Sequence, residues 1–271
     1  MRVAVGDVSL EVDDRGSGAP VLLLHGWPDA GRLWRHQVAA LGEAGFRTVA
    51  PDLRGFGDSD RPEGVEAYGL PVLVTDVLGL LDQLGIERAS VVGHDWGAAL
   101  AWVLATLAPE RVESLVALSV GHPGSFSGAG LAQREKSWYM LLFQFDGVAE
   151  EWLSQDGWRN FREWAGHPDV EDVVAGLSRP GALTASLNWY RANLPPESLV
   201  APPLELPPVQ ARTMGVWSTG DMALTEAQMA SSGDFVAPGR WRYERVEGPG
   251  HWMPLEAPDR VNDLLLDFLR G

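Results

Sequence analysis

The sequence predicts an α/β protein: a mostly parallel central sheet with helices on both faces, and a helical cap inserted between two stretches of the same core. Short continuous apolar runs such as Pro20-Val21-Leu22-Leu23-Leu24 have the composition of strands covered on both faces. They alternate with longer segments of helical spacing, which is the rhythm of a parallel sheet lined by helices. That rhythm stops after Gly121-His122-Pro123 and resumes near residue 212. The expected division is therefore core over residues 1–123, cap over 124–208 and core again over 209–271.

Each element follows from local composition. Residues 3–5 and 8–12 flank Gly6-Asp7 and predict an antiparallel hairpin. Further strands are expected at 20–24, 47–50, 89–92 and 112–120, and helices at 33–44, 70–84 and 97–107. The next segment carries Trp138, Trp152, Trp158, Trp164 and Trp189, with helical spacing over 150–164. Leu194-Pro195-Pro196 and the proline-rich residues 201–208 close it as a linker would. A strand at 212–217, a helix near 225–231, a strand at 241–246 and a helix over 257–269 complete the chain.

Composition narrows the class of function. A chain of 271 residues, 45% of them hydrophobic, can bury a substantial core. With 37 Asp and Glu against 21 Lys and Arg, the net charge of -16 disfavours nucleic acid or an anionic membrane surface as partner. There is no cysteine, hence no disulfide, thiolate metal site or Cys nucleophile. The opening Met1-Arg2-Val3-Ala4-Val5-Gly6-Asp7 lacks the apolar core of a signal peptide, and no apolar stretch reaches the roughly 20 residues that span a bilayer. A soluble cytoplasmic protein, monomer or homodimer, is the expectation.

The most informative stretch is Val91-Val92-Gly93-His94-Asp95-Trp96-Gly97-Ala98-Ala99. A buried strand, a Gly-x-Asp-x-Gly turn and an Ala-rich helix have the form of a nucleophile elbow, which exposes one side chain on a strained strand-to-helix turn. An Asp at that position, with an unperturbed pKa of about 3.9, is already an anion at neutral pH. If it displaces a leaving group from a saturated carbon the product is an enzyme ester, which water cleaves; a serine would form an inert ether. Asp95 as an ordinary cap of the following helix remains the alternative.

Three further features fall at the carboxyl ends of expected strands, where open α/β sheets bind ligands. The strand ending at Leu24 runs into His25-Gly26-Trp27-Pro28, where the glycine lets the Trp27 amide join that of Trp96 in binding an oxyanion, unless this is a plain turn. His251, in Gly248-Pro249-Gly250-His251-Trp252, is the best candidate base of the six histidines; as a loop residue it is expected to be exposed. Asp221, in Ser218-Thr219-Gly220-Asp221, is placed to accept from His251, or else caps a turn. The order nucleophile, acid, histidine is that of a triad on this kind of sheet.

Taken with Pro51-Asp52-Leu53-Arg54-Gly55-Phe56-Gly57-Asp58-Ser59-Asp60 and Gly250-His251-Trp252, these motifs resemble the α/β-hydrolase family, and within it the epoxide hydrolases. The resemblance spans nearly the whole chain and implies an α/β-hydrolase fold and hydrolysis of a small-molecule epoxide, hydrophobic or aromatic, to a vicinal diol. It implies that two cap tyrosines protonate the leaving oxygen: Tyr139, followed by Gly147-Val148-Ala149-Glu150, and Tyr190, in Leu187-Asn188-Trp189-Tyr190-Arg191. Neither metal nor organic cofactor is implied. Tyr68 and Tyr243, on the core periphery or a strand, are given no chemistry.

The elbow and triad order are shared with haloalkane dehalogenases. Halide needs only hydrogen-bond donors, whereas an epoxide opens to a strongly basic alkoxide that needs an acid. Trp27 stands where many dehalogenases place a halide-binding asparagine, although the Trp96 indole N–H is a possible donor. A reading of another class is an idle scaffold acting as ligand receptor or binding module. Retention of Asp95, His251, Asp221, Tyr139 and Tyr190 together argues against it.

Overall fold

The computed structural model describes residues 1–200 and 206–271. Eight strands form one sheet: β1 (Arg2–Val5), β2 (Val8–Arg15), β3 (Pro20–Leu24), β4 (Arg47–Pro51), β5 (Ala89–His94), β6 (Val112–Leu118), β7 (Arg212–Ser218) and β8 (Trp241–Val246). Their spatial order is β1-β2-β4-β3-β5-β6-β7-β8. The β1–β2 and β2–β4 pairs are antiparallel, and every pair from β4 to β8 is parallel. From the middle strand β3 the chain first goes to β4 on one side and later to β5 on the other. That reversal opens a crevice at the carboxyl ends of β3 and β5.

The central strands are apolar because helices cover both their faces: Val21 to Leu24 and Val91 to Val92 are wholly buried. Helices α1 (Arg35–Glu43), α2 (Leu70–Gln83) and α3 (Trp96–Leu107) lie between the early strands. Helix α1 is preceded by a 3-10 turn at Gly31–Trp34, so the expected helix over 33–44 starts later than its apolar residues suggest. The β6 strand stops at Leu118, not at 120, because Ser119 turns the backbone to a φ of 68°. Tyr68 is core rather than periphery: it is wholly buried, and its hydroxyl donates to the Pro62 carbonyl at 2.7 Å.

Between β6 and β7 the described chain is helical: α4 (Pro123–Gly128), α5 (Gly130–Lys136), α6 (Trp138–Leu142), α7 (Val148–Ala165), α8 (Val170–Leu177) and α9 (Ala182–Asn193), then a 3-10 turn at Pro196–Leu199. The helix expected over 150–164 is two pieces, broken at Gln155-Asp156-Gly157-Trp158, where Asp156, Gly157 and Trp158 have positive φ. Asp-Gly is turn chemistry, and it overrides the helical spacing on either side. Of the proline-rich stretch, residues 201–205 lie outside the described residues.

Helices α10 (Glu226–Ala230), α11 (Met253–Glu256) and α12 (Pro258–Arg270) complete the core. Helix α12 buries Val261, Leu264, Leu265 and Phe268, an i, i+3, i+4, i+7 stripe, and packs against α1. Among the described residues, no helix is long and apolar enough to cross a membrane.

The cap is tied to the core at several points. Trp189 donates its indole N–H to the Arg54 carbonyl at 3.0 Å, and His167 meets Asp29 at 3.2 Å. The Asn193 side chain accepts from the Leu70 amide and donates to the Tyr68 carbonyl.

Candidate active site

Asp95 sits between β5 and α3 with φ 51° and ψ −121°, a backbone conformation that costs a non-glycine residue about 1–3 kcal/mol. The turn is tight enough to demand its flanking glycines. A Cβ at Gly93 would collide with the Gly97 carbonyl, and one at Gly97 with the Leu24 carbonyl. The carboxylate does not cap α3. Instead its Oδ1 accepts the Trp27 backbone N–H at 2.8 Å. That contact exists because Leu24 of β3 pairs with Gly93 of β5, which brings the turn after β3 against the elbow. Gly26 is required there, since a Cβ would lie 2.5 Å from Asp95 Oδ1. The Trp96 N–H opens α3 and has no backbone acceptor among the described residues.

His251, in the loop between β8 and α11, is buried rather than exposed, with only 4% of its surface accessible. Trp252 packs edge-on against it at 5.1 Å, and Trp164 of the cap lines the same chamber. Its Nε2 lies 3.6 Å from Asp95 Oδ2, and its Nδ1 lies 3.0 Å from Asp221 Oδ2. Asp221 Oδ1 also accepts the amides of Ala223 and Leu224, each at 2.9 Å, so this residue both caps its turn and orients the imidazole.

These contacts set the charges. Burial pulls the His251 imidazole toward its neutral form, but Asp221 and Asp95 outweigh it and raise the pKa from 6.5 to about 10. At neutral pH the resting site therefore holds an imidazolium between two carboxylates. For Asp221, burial pushes the carboxyl up, while His251 and the two turn amides hold it below its ordinary value.

Tyr139 on α6 and Tyr190 on α9 are both buried, with ring centroids 6.0 Å apart, and line the chamber that contains Asp95 and His251. Burial raises the Tyr139 phenol well above its ordinary value, and the charges of Asp95 and Asp221 add to the shift. Burial does the same for Tyr190, again with Asp95 and with Tyr139, against a smaller opposing contribution from Trp96. Both phenols are thus protonated donors. They also pack as aromatic residues: Tyr139 lies 4.7 Å from Trp164 and Tyr190 lies 5.1 Å from Trp96.

The cap tryptophans divide. Trp164 lines the chamber, Trp189 is buried against Phe56 and Trp96, and Trp138 is 44% exposed. His122 lies beyond the end of β6 and caps α4: its Nδ1 accepts from the Gly124 amide at 3.1 Å and its ring stacks on Phe235.

Sequence reasoning missed the residues that hold this machinery in place. His94, pushed down to about 4 by burial and by the charge of His251, is neutral, and its Nε2–H donates to the His251 carbonyl at 2.9 Å. The Ser119 hydroxyl donates to the same carbonyl at 3.3 Å, from the positive-φ position that ends β6. Arg191, next to Tyr190, donates to the Phe143 carbonyl at the end of α6 and to Glu150 of α7, at 3.0 and 2.9 Å. It thereby fixes the helix of one tyrosine against that of the other. His94 and Arg191 stood beside recognised residues, but adjacency in sequence does not say where a ring nitrogen or a guanidinium points.

Known proteins resemble this chain in sequence and in fold. The family described as the alpha/beta hydrolase fold matches residues 19–258. Epoxide hydrolase A of Mycobacterium tuberculosis is 33% identical, the alignment covering 99% of this chain and 96% of that protein. AB hydrolase superfamily protein YfhM of Bacillus subtilis is also 33% identical, over 95% of this chain and 92% of its own. Among solved structures, an epoxide hydrolase of Bacillus megaterium in complex with an inhibitor superposes with a TM-score of 0.91 at 28% identity, covering 100% of both chains.

Proposed function

This chain belongs to the α/β-hydrolase family and, within it, to the epoxide hydrolases, and we propose that it opens its epoxide through a covalent ester on Asp95. The single observation that carries the mechanism is the convergence of Asp95, His251, Tyr139 and Tyr190 on one chamber. A dehalogenase has no use for two buried phenols there. A receptor has none for a carboxylate held 3.6 Å from an imidazole.

The two carboxylate oxygens have different tasks. Oδ1 is held by the Trp27 amide, so Oδ2 is free to attack a ring carbon. Tyr139 or Tyr190 gives its proton to the ring oxygen as the C–O bond breaks. Alkylation removes the negative charge of Asp95, one of the two that keep His251 protonated, so the imidazolium becomes more acidic and returns a proton to the phenolate. Neutral His251, oriented by Asp221, then takes a proton from water as that water attacks the ester carbonyl. Negative charge grows on Oδ1, where the Trp27 and Trp96 amides meet it. Such donors are worth roughly 3 kcal/mol each. On collapse the imidazolium protonates the leaving alkoxide to release the diol, and the proton left on the re-formed Asp95 acid passes to His251, restoring carboxylate and imidazolium.

The substrate is a hydrophobic or aromatic epoxide, in keeping with the aromatic walls of the site. A cysteine-free chain suits the cytoplasm, where we place it. The test is His251→Ala incubated with styrene oxide: alkylation should proceed and hydrolysis stall, so the intact protein gains the mass of one substrate at Asp95. An unmodified protein that still produces diol at the wild-type rate would refute the scheme.

A further inference from the structure

The space around Asp95 is divided unequally. The chamber bounded by Tyr139, Trp164, Met222, His251 and Trp252 measures about 20 Å³. A single water needs on the order of 10–15 Å³, so this space takes a small group or a water and no more. Asp95 also borders, together with Trp96, a cavity of about 450 Å³, with Val120, Phe126, Met140, Leu141, Leu194 and Leu224 among its described walls. That is within the usual range for a small-molecule site, about 300–1,000 Å³. Leu141, 46% exposed, marks where this cavity meets the surface of the cap.

Asp95 borders both spaces, and the phenols border only the small one. A ring whose oxygen reaches Tyr139 and Tyr190 while one carbon faces Asp95 Oδ2 must lie at the junction. Substituents on opposite carbons of a trans-disubstituted epoxide point away from each other. One would enter the large cavity, and the other would meet the wall made by Trp164, Met222 and Trp252. Close-packed walls of this kind do not yield without cost.

We propose that this chain selects terminal epoxides, with one ring carbon bare and the other carrying a single apolar group that lies in the larger cavity. The inference rests on the catalytic reading given above and adds to it the substitution pattern of the substrate. Once the ester has formed, the same small chamber is the space left beside His251 for the hydrolytic water.

The test compares kcat/KM of the full chain for styrene oxide and for trans-stilbene oxide, which carries a phenyl group on each ring carbon. Styrene oxide should be preferred by about a hundredfold or more, the scale on which a pocket rejects groups it cannot hold. Met222→Ala, which removes part of the chamber wall, should narrow the preference by about tenfold. Comparable turnover of the two epoxides by the wild-type chain would overturn the inference and leave the ester mechanism standing. A folded Met222→Ala variant with an unchanged preference would overturn it too. No diol and no Asp95 adduct from either epoxide would instead remove the catalytic reading, and the inference with it.

Discussion

The two halves of the site are held by different means. On the core side, the backbone itself sets the geometry: β3 and β5 are paired, Asp95 is locked at φ 51°, and Gly26, Gly93 and Gly97 allow approaches that no Cβ permits. On the cap side, Tyr139 and Tyr190 are placed by aromatic packing and by Arg191 of α9, which reaches the end of α6 and the first turn of α7. Backbone constraints tolerate little, whereas side-chain packing can shift by tenths of an ångström. In the proposed mechanism, the group that forms and loses a covalent bond stands on the stiffer half, and the two proton donors stand on the softer one.

The sharpest way to break this contrast is to disturb each half by one small change. Gly26→Ala inserts a Cβ against the Asp95 carboxylate, and misplacement on the order of 1 Å costs about a hundredfold in rate. With two such contacts disturbed, the nucleophile and the Trp27 amide, ester formation should fall by about a thousandfold. Tyr139→Phe or Tyr190→Phe removes one of two donors on the cap, and kcat should fall by roughly ten- to a hundredfold, the remaining phenol carrying the load. Single-turnover kinetics reads both. Equal losses from the glycine and tyrosine variants would erase the distinction.

A smaller effect sharpens it. His251 is raised from 6.5 to about 10 by its two carboxylate partners. A group with a raised folded-state pKa contributes stability that is fully present below about 6.5 and is lost as pH rises through about 10. The difference in Tm between the wild-type chain and His251→Gln should therefore be widest near about pH 6 and shrink by about pH 10. For Tyr139→Phe the difference should stay flat below about pH 9, because the phenol remains neutral there. A gap for His251→Gln that widens with rising pH would contradict the imidazolium assigned to the resting site.

The same division governs how much was legible in the sequence. The elbow, the His25-Gly26-Trp27 turn and the order Asp95, Asp221, His251 could be read because glycine spacing and strand rhythm report directly on backbone geometry. The parallel sheet followed from its apolar runs for the same reason. The cap was read less well. Helical spacing concealed the Asp156-Gly157 break in α7, since an apolar stripe does not show that its middle turns back. The burial of His251 was missed because Trp164 covers it from the cap, far along the chain, and because its neighbour Trp252 packs edge-on against the ring only once the loop has folded back on the core. The roles of His94, Ser119 and Arg191 depend on where one side-chain or carbonyl atom points, which no local pattern encodes.

One turnover in oxygen-18 water decides whether Asp95 becomes esterified and is released by attack at its own carbonyl. With enzyme in excess over styrene oxide, the first diol should carry no label, while the peptide containing Asp95 gains one heavy oxygen. Label in the first diol, with none in the Asp95 peptide, would mean that water opens the ring directly.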